Sequence, residues 1–145
     1  MPKGLEKHTA LTSQIIAACY EVHNILGPGL EERFYRDALL HELRSRGLSA
    51  EKEEEFNVIY KGAHLGKHRV DIVVEGRILL ELKAVSGKLL AIHSAQALSE
   101  LRVSGLPVIL LVNFGSTSVR VRRFEKRNVN EISTKEIPKS PNPGA

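Results

Sequence analysis

Apolar residues recur at helical spacing over residues 9–26, at Leu11, Ile15, Ala18 or Cys19, Val22 and Ile25 or Leu26. This predicts an amphipathic helix, with Thr9 or Thr12 as its cap. Gly27-Pro28-Gly29 breaks it. A second helix is predicted over 30–46, with Phe34, Ala38, Leu39 and Leu43 inward and Gly47 as its stop. The period then changes. Phe56, Val58 and Tyr60 alternate with Asn57 and Ile59, which reads as a strand, and Gly62 and Gly66 bracket a turn. Two further strands fall at 68–74 and 77–83, and a helix at 92–104 ends on Gly105-Leu106-Pro107. Residues 108–114 are apolar enough for a central strand, and Val119-Arg120-Val121-Arg122 alternates as a final edge strand. The order is α-α-β-β-β-α-β-β: an α/β fold with a central mixed sheet flanked by helices. One domain is expected over 1–125, followed by a loose polar tail over 126–145.

Three charges interrupt the apolar strand pair: Asp71, Glu81 and Lys83. Burying an unpaired charge is costly, so charges kept in such a place satisfy one another or do chemistry. Glu81 and Lys83, two apart on a strand, project from one face, with Leu80 and Leu82 on the other. Val70, Ile72 and Val74 share one side of the preceding strand, which leaves Asp71 opposite them. For Asp71 to sit across from Glu81, the Glu75-Gly76 turn must have odd length or a bulge. A strict two-residue hairpin would set Asp71 against Leu80 and turn Glu81 to the wrong face.

The chain has 145 residues, 42% hydrophobic and 26% charged, which suits a single globular domain with its own core. No apolar run approaches a membrane span, and the N-terminus lacks the apolar core of a secretory signal. The single cysteine, Cys19, excludes an internal disulfide and reads as a small buried side chain. A cytoplasmic protein with no membrane partner is expected. The formal net charge of +4 is mild, and its distribution says more. Glu51, Glu53, Glu54 and Glu55 form an acidic cluster. Lys67, His68 and Arg69 precede the Asp71 strand, and Arg120 and Arg122 lie on the last one. Either basic group could contact the phosphates of a nucleic acid.

Two carboxylates and a lysine suit a hard cation such as Mg2+ or Mn2+ beside a phosphate. Asp71 followed ten residues later by Glu81-Leu82-Lys83 resembles the signature of the PD-(D/E)XK nuclease superfamily, and the element order agrees with its restriction-endonuclease-like core. Upstream, Gly29-Leu30-Glu31-Glu32-Arg33-Phe34-Tyr35 resembles the naming motif of the small bacterial GxxExxY proteins, a branch of that superfamily. His93-Ser94-Ala95-Gln96 and Val112-Asn113-Phe114-Gly115 are similar to that family's later segments. The resemblance implies a divalent-metal-dependent nuclease acting on nucleic acid, with DNA favoured over RNA, and a homodimer as one assembly. It implies Asp71 and Glu81 as metal ligands, the Leu82 backbone carbonyl as a third, and Lys83 as the catalytic lysine. Glu32 would complete the site from the second helix, and Gln96 would point into it from the next. Two departures stand out: Val70 replaces the proline often found before the aspartate, and Glu100 stands where relatives often carry tyrosine.

Competing readings are fewer. Gly27-Pro28-Gly29 lacks the spacing and lysine of a phosphate loop. His64 and His68 have zinc-like spacing but no further ligands. Tyr35 reads as packed beneath the site, and His93 as a helix cap. The rival to catalysis is a domain that keeps the nuclease fold only to bind nucleic acid or a protein partner, since fold and function are separable. Hydrolysis of another phosphate ester is a third.

Overall fold

The computed structural model describes residues 3–126 and 132–136, with side chains from 8 to 126. Helix α1 (Lys3–Leu26) begins earlier than the periodicity predicts. Thr9 and Thr12 therefore lie inside it, and the Thr12 hydroxyl donates to the Thr9 carbonyl at 3.0 Å. Leu11, Ile15, Ala18, Cys19 and Val22 are buried as expected. Ile25, in the last turn of the helix, is 71% exposed. Helix α2 (Glu32–Ser45) ends at Gly47, whose φ of 83° lets the chain reverse. Its inward stripe is Tyr35, Leu39, Leu40 and Leu43. Phe34, expected inward, is 43% exposed, because its neighbour Tyr35 takes the core position.

Eight strands are described, where five were expected. The short β1 (Ala50–Lys52) lies in the acidic cluster, which periodicity alone did not mark as a strand. Strands β2 (Glu55–Tyr60) and β3 (Ala63–Arg69) form a hairpin of their own. Its turn is Lys61-Gly62, both at positive φ, while Gly66 lies within β3 beside a bulge at Leu65. The expected strand 68–74 is thus divided. After β3 the chain bends at Val70-Asp71 and enters the main sheet as β4 (Ile72–Val74). The bend puts Val70 in the core with Val73, not with Ile72 and Val74.

The main sheet runs β1-β4-β5-β6-β7-β8, where β5 is Ile78–Lys83, β6 Val108–Asn113, β7 Arg120–Lys126 and β8 Ile132–Glu136. Strands β5 and β6 are parallel and joined through helix α3 (Ala91–Ser104); the other neighbours are antiparallel. The edge is therefore β8 and not β7. Residues 132–136, expected in the loose tail, satisfy backbone groups that β7 would otherwise leave unpaired. Lys126, also expected in the tail, ends β7, and the rest of the expected tail lies outside the described residues.

Helices α1 and α2 cover one face of this mixed sheet, packing on Ile72, Val74, Ile78, Leu80, Leu82, Leu110 and Val112. Helix α3 covers the other, where Ala97 and Leu101 meet Val73, Leu79, Ile109 and Leu111. Every residue of β6 is buried, as a strand between two helical layers requires. Between β4 and β5 the loop has three residues, Glu75-Gly76-Arg77. Glu75 and Gly76 are at positive φ, and the Arg77 amide donates to the Val74 carbonyl at 3.0 Å. Ile72 consequently pairs with Leu80, the register that the odd-loop condition requires if Asp71 is to come beside Glu81.

Candidate active site

The parity of β5 sends Leu80 and Leu82 towards α1 and α2 and leaves Leu79, Glu81 and Lys83 on the α3 face. Lys83 sits at the end of the strand, 17% exposed, with its Nζ 3.4 Å from Glu81 Oε1. The same ammonium donates to Gln96 Oε1 of α3 at 3.1 Å. Asp71 lies in the bend before β4, where its Oδ2 accepts from the Leu82 amide at 2.7 Å. That bond closes the ladder beyond its last pair, Ile72 with Leu80. The Lys83 carbonyl accepts from the Phe114 amide beyond β6, so the Leu82 carbonyl points to the opposite edge, towards Asp71.

Glu81 is 4% exposed and Glu100 3%. One Glu100 oxygen, Oε2, meets His68 Nε2 at 2.5 Å, while Oε1 is buried with no hydrogen-bond partner. Glu81 lies within hydrogen-bonding reach of Glu100. Two carboxylates can join only through a proton or a cation, so this pair is incomplete when both are ionised.

The four acids of the site, Glu32, Asp71, Glu81 and Glu100, all resist ionisation. Burial, then the hydrogen bond and charge of Glu100, push Glu81 up to about 8. Burial and then the charge of Glu81 push Asp71 up to about 6 against the pull of the Leu82 amide. Glu32, in the first turn of α2, is raised by burial and by Asp71, with Lys83 and Arg36 opposing. Glu100 is raised mainly by burial.

The Gly27–Glu32 segment is set by Tyr35. Its hydroxyl donates to the Gly27 carbonyl at 2.6 Å and accepts from the Leu30 amide at 3.1 Å. Its ring, fully buried, stacks on Phe114 at 4.9 Å. Gly29, at φ 108°, takes a conformation that a side chain would strain. His93 closes the start of α3, its Nδ1 accepting from the Leu90 amide at 2.9 Å.

The residues expected to bear on the chemistry therefore gather at the end of β5, with Glu32 coupled electrostatically to Asp71 and Lys83. Arg120 and Arg122 stand together on β7, but the other basic group does not gather. Strand alternation puts Lys67 and Arg69 on one side of the hairpin and turns His68 inward onto Glu100, so these three make no common patch. His64 bonds Asn57 on the exposed hairpin. Sequence reasoning missed three contributors. One is the His68–Glu100 contact. A second is Arg36, one turn after Glu32, which lowers both Glu32 and Asp71. The third is Asn113, the lone polar residue of β6, which ties two loops together.

A family model described as the PD-(D/E)XK nuclease superfamily matches residues 9–124. The chain belongs to the PD-(D/E)XK nuclease superfamily. Neither the curated proteins nor the solved structures contain a match. Membership supports nuclease chemistry in general, and nucleases of this superfamily generally use divalent metals. The donor set fits a hard cation: buried carboxylates that repel one another, with one Glu100 oxygen left without a partner when Glu81 is ionised. Among the described residues, however, no three His, Cys, Asp or Glu side chains converge as ligands where they stand. No helix among them is long and apolar enough to cross a membrane.

Proposed function

We propose that this protein, as a GxxExxY-type member of the superfamily, is a divalent-metal-dependent nuclease that hydrolyses phosphodiester bonds in nucleic acid, DNA in preference to RNA. The observation that supports it best is the convergence on Lys83, whose ammonium is held between the Glu81 carboxylate of its own strand and the Gln96 amide of α3. A lysine so fixed can orient an attacking water and stabilise charge developing on the phosphoryl oxygens. Asp71, Glu81 and Glu32, with the Leu82 carbonyl, would hold Mg2+ or Mn2+. The ion would polarise the phosphoryl group and make a bound water more acidic. Holding Asp71 by the Leu82 amide keeps its second oxygen available. Gln96 limits the rotamers open to the lysine.

The test is a titration of Mg2+ and Mn2+ into purified protein with plasmid and single-stranded substrates. Cleavage by the wild type and none by Asp71→Ala or Lys83→Ala is the expected result. Equal cleavage by all three would remove the assignment. A second reading is a binding domain that keeps the fold without turnover, since fold and function are separable. Salt-sensitive binding with no metal-dependent cleavage would select it.

A further inference from the structure

A cavity of about 490 Å3 opens between the loop after β5 and the loop after β6. Its lining includes Lys88, Ser116, Thr117, Ser118, Arg120 and Arg122, three cations and three hydroxyls, with no carboxylate among the lining residues. The walls are tied before any ligand arrives. Asn113, fully buried, accepts from the Val85 and Gly115 amides at 3.0 Å and donates to the Val85 carbonyl at 2.9 Å. The Ser116 hydroxyl donates to the Gly87 carbonyl at 2.8 Å. Arg122 is held by the Ser94 hydroxyl at 2.8 Å, while Lys88 and Arg120 are exposed and have no acidic partner among the described residues.

The sheet register places this cavity relative to the acidic centre. Lys83 pairs with Asn113, which pairs with Arg120; Glu81 pairs with Leu111, which pairs with Arg122. Paired residues project from the same face, so both arginines stand on the α3 face, in line with Glu81 and Lys83. Two strand spacings separate the Lys83 and Arg120 backbones, roughly 10 Å. A preformed, cation-rich cavity with hydroxyl donors is matched to a tetrahedral oxyanion.

We propose that this cavity is a phosphate subsite, taking a phosphate group of the nucleic-acid substrate other than the one attacked at Lys83. The identity of the ligand rests on the nuclease reading; the anion chemistry does not. The phosphate is either an internal diester or a terminal monoester.

The test is metal-free binding in EDTA of labelled oligonucleotides, with and without a 5′-phosphate, to wild type and to Lys88→Gln/Arg120→Gln. Both positions are exposed, and an unchanged melting temperature verifies that the variant is folded. The variant is expected to bind about tenfold more weakly at low salt, with the slope of log K against log salt reduced by about 2. Inorganic phosphate is expected to displace the wild-type complex more than chloride of equal ionic strength does. If the loss in the variant is confined to the phosphorylated oligonucleotide, the ligand is a terminal monoester; equal loss for both assigns an internal diester. Unchanged affinity and slope, or displacement by phosphate no greater than by chloride, overturns the subsite. Failure of the nuclease reading would look different: no cleavage by wild type, with this binding intact.

Discussion

Two charged regions share one end and one face of the sheet, and they are built on opposite terms. At β5 and α3 the charges are buried: Glu81 and Glu100 are each under 5% exposed, and one Glu100 oxygen has no partner. At the loops after β5 and β6 the charges of Lys88 and Arg120 are exposed, and the buried polar work is done by Asn113, whose amide is satisfied by backbone. Desolvated carboxylates cost the fold stability until something neutralises them. Exposed cations over a satisfied frame cost little. The acidic centre should therefore gain stability when its chemistry is destroyed, and the basic cavity should not.

The largest expected effect tests that statement directly. Asp71→Asn keeps the shape, and its side-chain oxygen can still accept from the Leu82 amide. It should reduce metal-dependent cleavage by roughly a thousandfold or more, since several kcal/mol of charge stabilisation depend on the centre. It should leave the metal-free melting temperature unchanged or higher at neutral pH. A variant that is inactive and also much less stable would mean that Asp71 serves mainly to close the β4–β5 ladder.

The second effect is on stability against pH. Glu81 is raised to about 8 in the fold and Asp71 to about 6, both above ordinary carboxylate values. The folded state therefore binds more protons than the unfolded state between about pH 4.5 and 8, and its stability falls as pH rises across that window. Above the folded values the loss is complete. Each group contributes up to about 1.4 kcal/mol per pH unit while it alone carries the difference. Thermal melts of metal-free protein should show this decline, and Glu81→Gln should flatten it. A profile flat from pH 5 to 8 in the wild type would break the contrast between the two regions.

The alignment of Asp71, Glu81 and Lys83 was legible in the sequence because a strand's side-chain period is two, and loop parity then decides which faces meet. The two loop residues at positive φ, Glu75 and Gly76, realise the one parity that works. The helices were legible for a similar reason, since Leu11, Ile15, Leu39 and Leu43 repeat at helical spacing and are buried. What escaped depends on partners distant in the chain. The bend at Val70-Asp71 is held by Glu54 and Glu53, whose backbones bond Val70 and Asp71. Strand β8 exists by pairing with β7, and His68 meets Glu100 across two separate layers. Local periodicity carries no signal for such contacts. Asn113 offered a faint one, as a polar residue at the end of a run otherwise apolar from Val108 to Phe114.

The frame of the cavity supplies the third test. A Cβ on Gly115 would lie within 2.5 Å of backbone atoms of Ala84 and Val85, so the two loops touch only because this residue is glycine. Gly115→Ala must push that backbone away and weaken the Asn113 clamp, at an expected cost of about 2–3 kcal/mol in denaturant unfolding. Unlike Asp71→Asn, it should lower stability. A cost below about 0.5 kcal/mol would mean that the loops yield freely and that the cavity is not preformed.

The smallest effect separates position from packing at the acidic centre. Tyr35→Phe keeps the ring that stacks on Phe114 and removes only the hydroxyl that joins the Gly27 carbonyl to the Leu30 amide. Both freed groups lie near the surface and regain water in part, so the stability cost should be about 1 kcal/mol, within the usual worth of such bonds. The segment they hold leads, two residues later, into Glu32. If Glu32 completes a cation site, loosening its approach should weaken Mn2+ binding several-fold by calorimetry while Lys88 and Arg120 are untouched. If the melting temperature falls and Mn2+ affinity does not, Glu32 is not a ligand. Its elevated pKa would then reflect only its burial beside Asp71.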